Sequence, residues 1–214
     1  MRKLATFLIL ILTLTLFGCK PAGIEITPIN DGVAKLSIVS FDGASESVLG
    51  LMNLGHAFVV IENNSSEDMI VGKYNLKSGR AVTIGTWSIA EHFGIWYNVE
   101  NNYIEYCNKY DGRVSLSKEI SIDDLNKINT FISTNDRWGV LKNCGYFATN
   151  LWNTVAKDGE ILNVGYTPKS ICSVITNTPN FEKNIVIPVS DEMGYFDSEN
   201  YISFKLEGEH YEKI

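Results

Sequence analysis

Asn143-Cys144-Gly145-Tyr146-Phe147-Ala148-Thr149-Asn150-Leu151-Trp152-Asn153 reads as a helix with a cysteine at its mouth. Phe147, Ala148, Leu151, Trp152 and Val155 recur at three- and four-residue spacing, the period of one buried helical face. Cys144 precedes Phe147 and Ala148 by three and four residues, so its sulfur points inward with them. Asn143 is a favoured cap residue just before it. A thiol in the first helical turn feels the positive end of the helix dipole, which lowers its pKa and favours the thiolate. A buried cysteine is also a small apolar filler. The stretch alone leaves both roles open.

Working outward, Ala34 to Phe41 alternates as a strand does, and Asp42 to Gly55 is Gly/Ser-rich, with a short apolar stretch at Val48 to Met52. His56 to Asn63 is rich in β-branched residues. The turn cluster Asn63 to Asp68 leads to Met69–Leu76, so 56–76 reads as a hairpin. Further strands are expected at Ala81–Trp87, Ile95–Tyr106, Arg113–Ile120 and Ile185–Val189. Ser121-Ile122-Asp123-Asp124 has a cap-like start, and Ile122, Leu125, Ile128, Phe131 and Ile132 give the helix 122–133 its face. The cysteine helix runs from 144 to about 157, and Pro168 opens a short helix through Val174. Strands grouped in the middle with helices after them make an α+β pattern, and 34–214 reads as a single domain with an acidic tail.

The beginning of the chain has a different character. Met1-Arg2-Lys3, an apolar run from Leu4 to Phe17, and then Gly18-Cys19 describe a secretory leader over 1–18. The run is shorter than the roughly 20 residues of a membrane span. Leu16-Phe17-Gly18-Cys19 resembles the lipobox of bacterial lipoproteins. That resemblance implies cleavage before Cys19, lipidation of its sulfur, an extracytoplasmic location on the bacterial membrane, and a tether over 19–33. The net charge is -7, from 18 basic and 25 acidic residues. Loss of Arg2 and Lys3 would leave 16 basic residues and take it to -9. Such a balance argues against nucleic acid and against electrostatic docking on anionic lipid, leaving acyl chains to hold the membrane. With Cys19 lipidated, Cys107, Cys144 and Cys172 form an odd set, so at least one thiol stays free. Cys107 and Cys172 can pair, all three can be reduced, or Cys144 can be the bridged one.

A cysteine nucleophile needs a base within hydrogen-bond reach and a third group to orient it. Of three histidines, His210 lies in the charged tail and His92 in an expected loop, while His56 opens the most apolar strand. A strand end faces the sheet edge that a helix N-terminus approaches, which makes His56 the candidate base; a histidine held by a backbone carbonyl is the alternative. In a 56–76 hairpin turning near Ser65/Ser66, Asn75 falls opposite His56 and is the candidate orienter. One residue of slip would substitute Tyr74 or Leu76. Asn98 and Glu100 are further polar candidates, expected on a nearby strand. The chain has no Cys-x-x-Cys, His-Glu-x-x-His, Gly-x-Ser-x-Gly or Gly-rich phosphate loop, and no cofactor or metal is expected.

Gly55-His56-Ala57-Phe58-Val59-Val60-Ile61 followed by Asn143-Cys144-Gly145-Tyr146-Phe147-Ala148 resembles circularly permuted papain-like cysteine enzymes. These include the permuted NlpC-type peptidases and their lecithin:retinol acyltransferase-like relatives. The resemblance covers roughly 34–160. It implies a small antiparallel sheet packed against the cysteine helix. It also implies attack on an amide or ester carbonyl through an acyl-enzyme. Met69–Leu76 carries no histidine where family members commonly have a second one or another polar residue. The expected substrate is a peptide, a cell-wall peptide or a lipid amide, cell-wall peptides being the nearest to a bacterial surface enzyme by location. A non-catalytic lipoprotein binding a glycan, peptide or partner protein on the same fold is the other reading.

Overall fold

Strand β2 (His56–Asn63) lies in the middle of the molecule, and almost every residue of it is buried, on both faces. The computed structural model describes residues 23–43, 55–188 and 192–204. The leader, Cys19 and the next three residues of the tether, Val48–Met52, Val189 and His210 lie outside the described residues. β2 pairs on one side with β1 (Ala34–Phe41), in register from Phe41↔His56 to Ala34↔Asn63. On its other side it pairs with β5 (Ala81–Ile89), but only from Val59↔Ile84 to Glu62↔Ala81. The remaining strands are β3 (Met69–Val71), β4 (Tyr74–Leu76), β6 (His92–Tyr97), β7 (Val114–Ile120), β8 (Glu182–Lys183), β9 (Met193–Asp197) and β10 (Asn200–Phe204). The main sheet runs β10-β9-β6-β5-β2-β1-β7-β8, and its pairings are antiparallel.

The helices are α1 (Val99–Cys107), α2 (Ile122–Thr134), α3 (Cys144–Asn153) and α4 (Pro168–Asn177). Alternation along β2 sends Ala57, Val59 and Ile61 to one face of the sheet. There they meet Phe147, Ala148, Leu151 and Trp152 of α3, with α2 and α4 alongside. This is the helical face expected from the sequence, and each of its large side chains contributes about 1.5–3 kcal/mol by leaving water. Phe58 and Val60 point the other way, to Val39, Ala81 and Ile187, with Ile104 of α1 against them. The chain is therefore α+β, with an antiparallel sheet holding the cysteine helix. With eight strands among the described residues, the sheet is larger than the small one expected.

Four expectations change. Met69–Leu76 does not pair with β2; β3 and β4 form a separate two-stranded sheet, because β1 and β5 already occupy both edges of β2. Ile95–Tyr106 is not one strand: Asn98, at φ 62, takes a left-handed conformation that ends β6 and starts α1. Its side chain replaces the lost ladder partners, accepting from the Thr83 N–H at 3.3 Å and donating to Glu192 O at 3.0 Å. Ile185–Pro188 is irregular, and the strand falls earlier, at β8, where Glu182 and Lys183 pair with β7. The cysteine helix stops at Asn153.

Two polar devices fix the helices. Lys118 and Glu160 form a buried ion pair at 2.7 Å, and Lys118 also donates to Val155 O at 2.6 Å just beyond α3. Glu160 accepts from the Thr27 N–H at 2.8 Å as well, tying the N-terminal segment to that end of α3. α2 starts with a complete capping box, Ser121 accepting from the Asp124 N–H and Asp124 from the Ser121 N–H. Ser121→Ala is expected to lower unfolding stability by about 1 kcal/mol, read as a shift of the urea midpoint with an unchanged slope.

Candidate active site

The thiol and the imidazole come from opposite faces of the sheet. Cys144 belongs to a helix on the Ala57–Val59–Ile61 face, whereas His56 shares its face with Phe58 and Val60. They meet because the sheet forks. β5 continues beyond Ile84 with β6 as its partner, while the first residues of β2 keep only β1. In the fork the Cys144 sulfur faces the backbone amides of Ala57 and Gly145, which favour its thiolate. Asn143 caps α3 from below, its Oδ1 accepting from the Tyr146 N–H at 2.9 Å. Gly145 admits a close neighbour: a Cβ there would lie 2.4 Å from Tyr166 O.

His56 is buried, and its Nε2 lies 2.9 Å from Oε1 of Glu100. That contact leaves Nδ1 as the ring nitrogen available to the neighbouring Cys144 thiol. Glu100, in the first turn of α1, is wholly buried, and the same Oε1 accepts from Trp87 Nε1 at 2.8 Å. Burial opposes charge on His56, but the neighbouring Cys144, as a charge and as a hydrogen-bond partner, and then Glu100 outweigh it and raise the imidazole to about 9. Burial likewise works against the thiolate, yet His56 and the two backbone donors hold Cys144 below its ordinary value. Both shifts run in the direction that favours a thiolate beside an imidazolium, the reactive form of a cysteine nucleophile.

Gly85 makes this arrangement of three side chains possible. A Cβ on it would lie 2.0 Å from Glu100 Oε1 and 3.3 Å from His56 Nε2. The Trp87 ring packs on the imidazole with centroids 4.3 Å apart, and Tyr110 stacks on it at 5.7 Å. These rings wall a cleft of about 570 Å³, shared with Phe41, Lys109 and Asp111, that opens at His56. Tyr110 sits at φ 62, a conformation uncommon for a bulky residue, and its carbonyl accepts from the Arg113 N–H at 3.0 Å.

Of the residues expected at the site, Cys144 and His56 come together and Asn75 does not. Asn75 is exposed on β4 opposite Ile70, in the separate two-stranded sheet. The position it was expected to fill is held by Glu100, on a helix and not a strand. Gly85 inside a strand, and an acid beside Trp96, Tyr97, Val99 and Tyr103, were the signals for it. Asn75→Ala is expected to leave thiol reactivity unchanged and stability within about 0.5 kcal/mol, by alkylation rate and thermal melting. His92 is engaged elsewhere, 2.8 Å from Asp136. Cys107 and Cys172 are free thiols; burial raises both, Cys172 to about 11. Only Cys144 of the three carries a depressed thiol, and among the described residues no group of three or more histidines, cysteines and acids is placed to hold a metal ion.

Compared with known proteins, the chain matches no family model, no curated protein and no solved structure.

Proposed function

We propose that the chain is a cysteine hydrolase or acyl transferase with a permuted papain-like arrangement, acting on amide or ester bonds. In this reading it is lipid-anchored through Cys19 outside the bacterial cytoplasm, where cell-wall peptides or lipid amides are within reach. The observation that supports it best is His56 held between the Cys144 thiol and the buried carboxylate of Glu100.

The chemistry follows from those atoms. The Cys144 thiolate adds to the carbonyl carbon, and the oxyanion forms against the N-terminal backbone of α3, where the Cys144 N–H can donate. His56 gives its Nδ1 proton to the departing nitrogen or oxygen as that bond breaks, leaving a thioester on Cys144. Water, or an alcohol or amine acceptor, loses a proton to His56 and attacks the thioester, and the thiolate returns. Glu100 keeps the proton of Nε2 and the plane of the ring throughout. Gly55 and Phe41 border the cleft where the acyl group would lie.

Iodoacetamide tests the pair without knowledge of the substrate. At pH 7 Cys144 is expected to be alkylated well ahead of Cys107 and Cys172, and His56→Ala should slow it by about tenfold. Equal rates at Cys144 with and without His56, in a variant that still melts cooperatively, would remove the basis for a catalytic pair.

A further inference from the structure

We propose that the turn Gly139–Lys142 is a docking tip for an anionic lipid bilayer, with Val140 and Leu141 entering its acyl layer. Gly139 and Lys142 close the turn by exchanging backbone hydrogen bonds at 3.2 and 3.0 Å. Val140 and Leu141 stand at its tip, 82% and 86% exposed. These are large aliphatic side chains in almost full contact with water, adjacent in sequence and fixed by a closed turn. The space around the turn is open: a Cβ on Gly139 would meet nothing within 4 Å.

The surroundings select the occupant. A convex tip offers no groove for a peptide and no flat area for a partner protein, whose apolar anchors sit in desolvated pockets. Its flanks carry Arg137 and Lys142, with Trp138 between Arg137 and the turn. Exposed aliphatic residues bracketed in sequence by a tryptophan and two cations have the composition of a bilayer-surface contact, which takes acyl chains, interface and phosphates in turn, and Lys142 Nζ lies 5.5 Å from the Tyr146 ring. Phe93, 57% exposed, extends the apolar side, because its carbonyl accepts from the Trp138 N–H at 3.0 Å. Asp136, the adjoining acid, is drawn to His92 and to the Ile95 N–H, at 2.8 and 2.7 Å. The chain as a whole is acidic and repelled by anionic lipid. Screening confines that repulsion to roughly 8–10 Å, a range in which Arg137 and Lys142 beside the turn are the local cations. Lys142 is two residues from Cys144, so docking would bring the thiol close to the lipid surface, within about 7 Å of backbone from the turn. The surface does not depend on Cys144 being catalytic.

Photo-crosslinking reads the contact in the full chain, whether or not its N-terminus also holds the membrane. The protein is mixed with phosphatidylglycerol/phosphatidylcholine vesicles carrying a photoactivatable group on an acyl chain, and labelled peptides are mapped by mass spectrometry. Labelling is expected at Val140 and Leu141. It should fall about tenfold in Val140→Ser/Leu141→Ser, and about threefold or more on vesicles of phosphatidylcholine alone. Label confined to other segments, equal label in the double variant, or crosslinks joining this turn to a second copy would overturn the proposal. Alkylation of Cys144 in vesicle-free solution should not change in the double variant. It reports on the thiol–imidazole pair separately, so loss of either proposal is distinguishable from loss of the other.

Discussion

Gly85→Ala is expected to reduce turnover of an activated ester by about 100- to 1000-fold while leaving a folded protein. The new methyl group would occupy a point 2.0 Å from Glu100 Oε1, so the carboxylate has to withdraw. Withdrawal takes the acceptor from both the buried His56 Nε2 and the half-buried Trp87 Nε1. The atom that must move is the end of a flexible side chain, so the fold loses about 1–3 kcal/mol and the triad is the main casualty. The measurements are kcat/KM on the ester beside a thermal melt. A variant melting within a few degrees of the parent with unchanged kcat/KM would mean that Glu100 is not needed where it stands.

Glu100 itself gives the second large effect, and two substitutions separate its roles. Glu100→Ala removes the acceptor altogether and is expected to cost about 1000-fold in kcat/KM, with the ring free to turn. Glu100→Gln keeps an oxygen for His56 and Trp87 but removes the charge, so at neutral pH most of the activity should return. Its signature is in the pH profile. The thiolate–imidazolium pair exists above the depressed Cys144 value and is lost as pH rises through about 9, where His56 gives up its proton. Without the carboxylate the imidazolium is less favoured, so the alkaline limb moves to lower pH in Glu100→Gln. Stability follows with the same sign: the contribution of His56, raised from 6.5 to about 9, is complete below pH 6.5 and disappears as pH rises through about 9. An alkaline limb that stays in place in Glu100→Gln would show that the carboxylate acts only as a hydrogen-bond acceptor.

The sequence by itself determined the local pieces, because their signals are local. The period of Phe147, Ala148, Leu151, Trp152 and Val155 is set by helix geometry, and all five are buried in the fold. Asn143 caps α3 and Ser121 caps α2 through atoms three residues away, which is why both were legible. His56 at a strand end and Cys144 at a helix mouth were legible as two chemically suited groups. Their meeting was decided only by tertiary structure. Which strand pairs with β2 depends on partners far along the chain, and β5, not the neighbouring Met69–Leu76 segment, takes its second edge. That choice removes Asn75 and opens the fork through which a thiol from one face reaches an imidazole on the other. The conformation of a single residue, Asn98, turns an apparent strand into the helix that carries Glu100. Alternation of apolar and polar residues cannot reveal such a break, because a left-handed residue reverses the chain without changing its hydrophobic content.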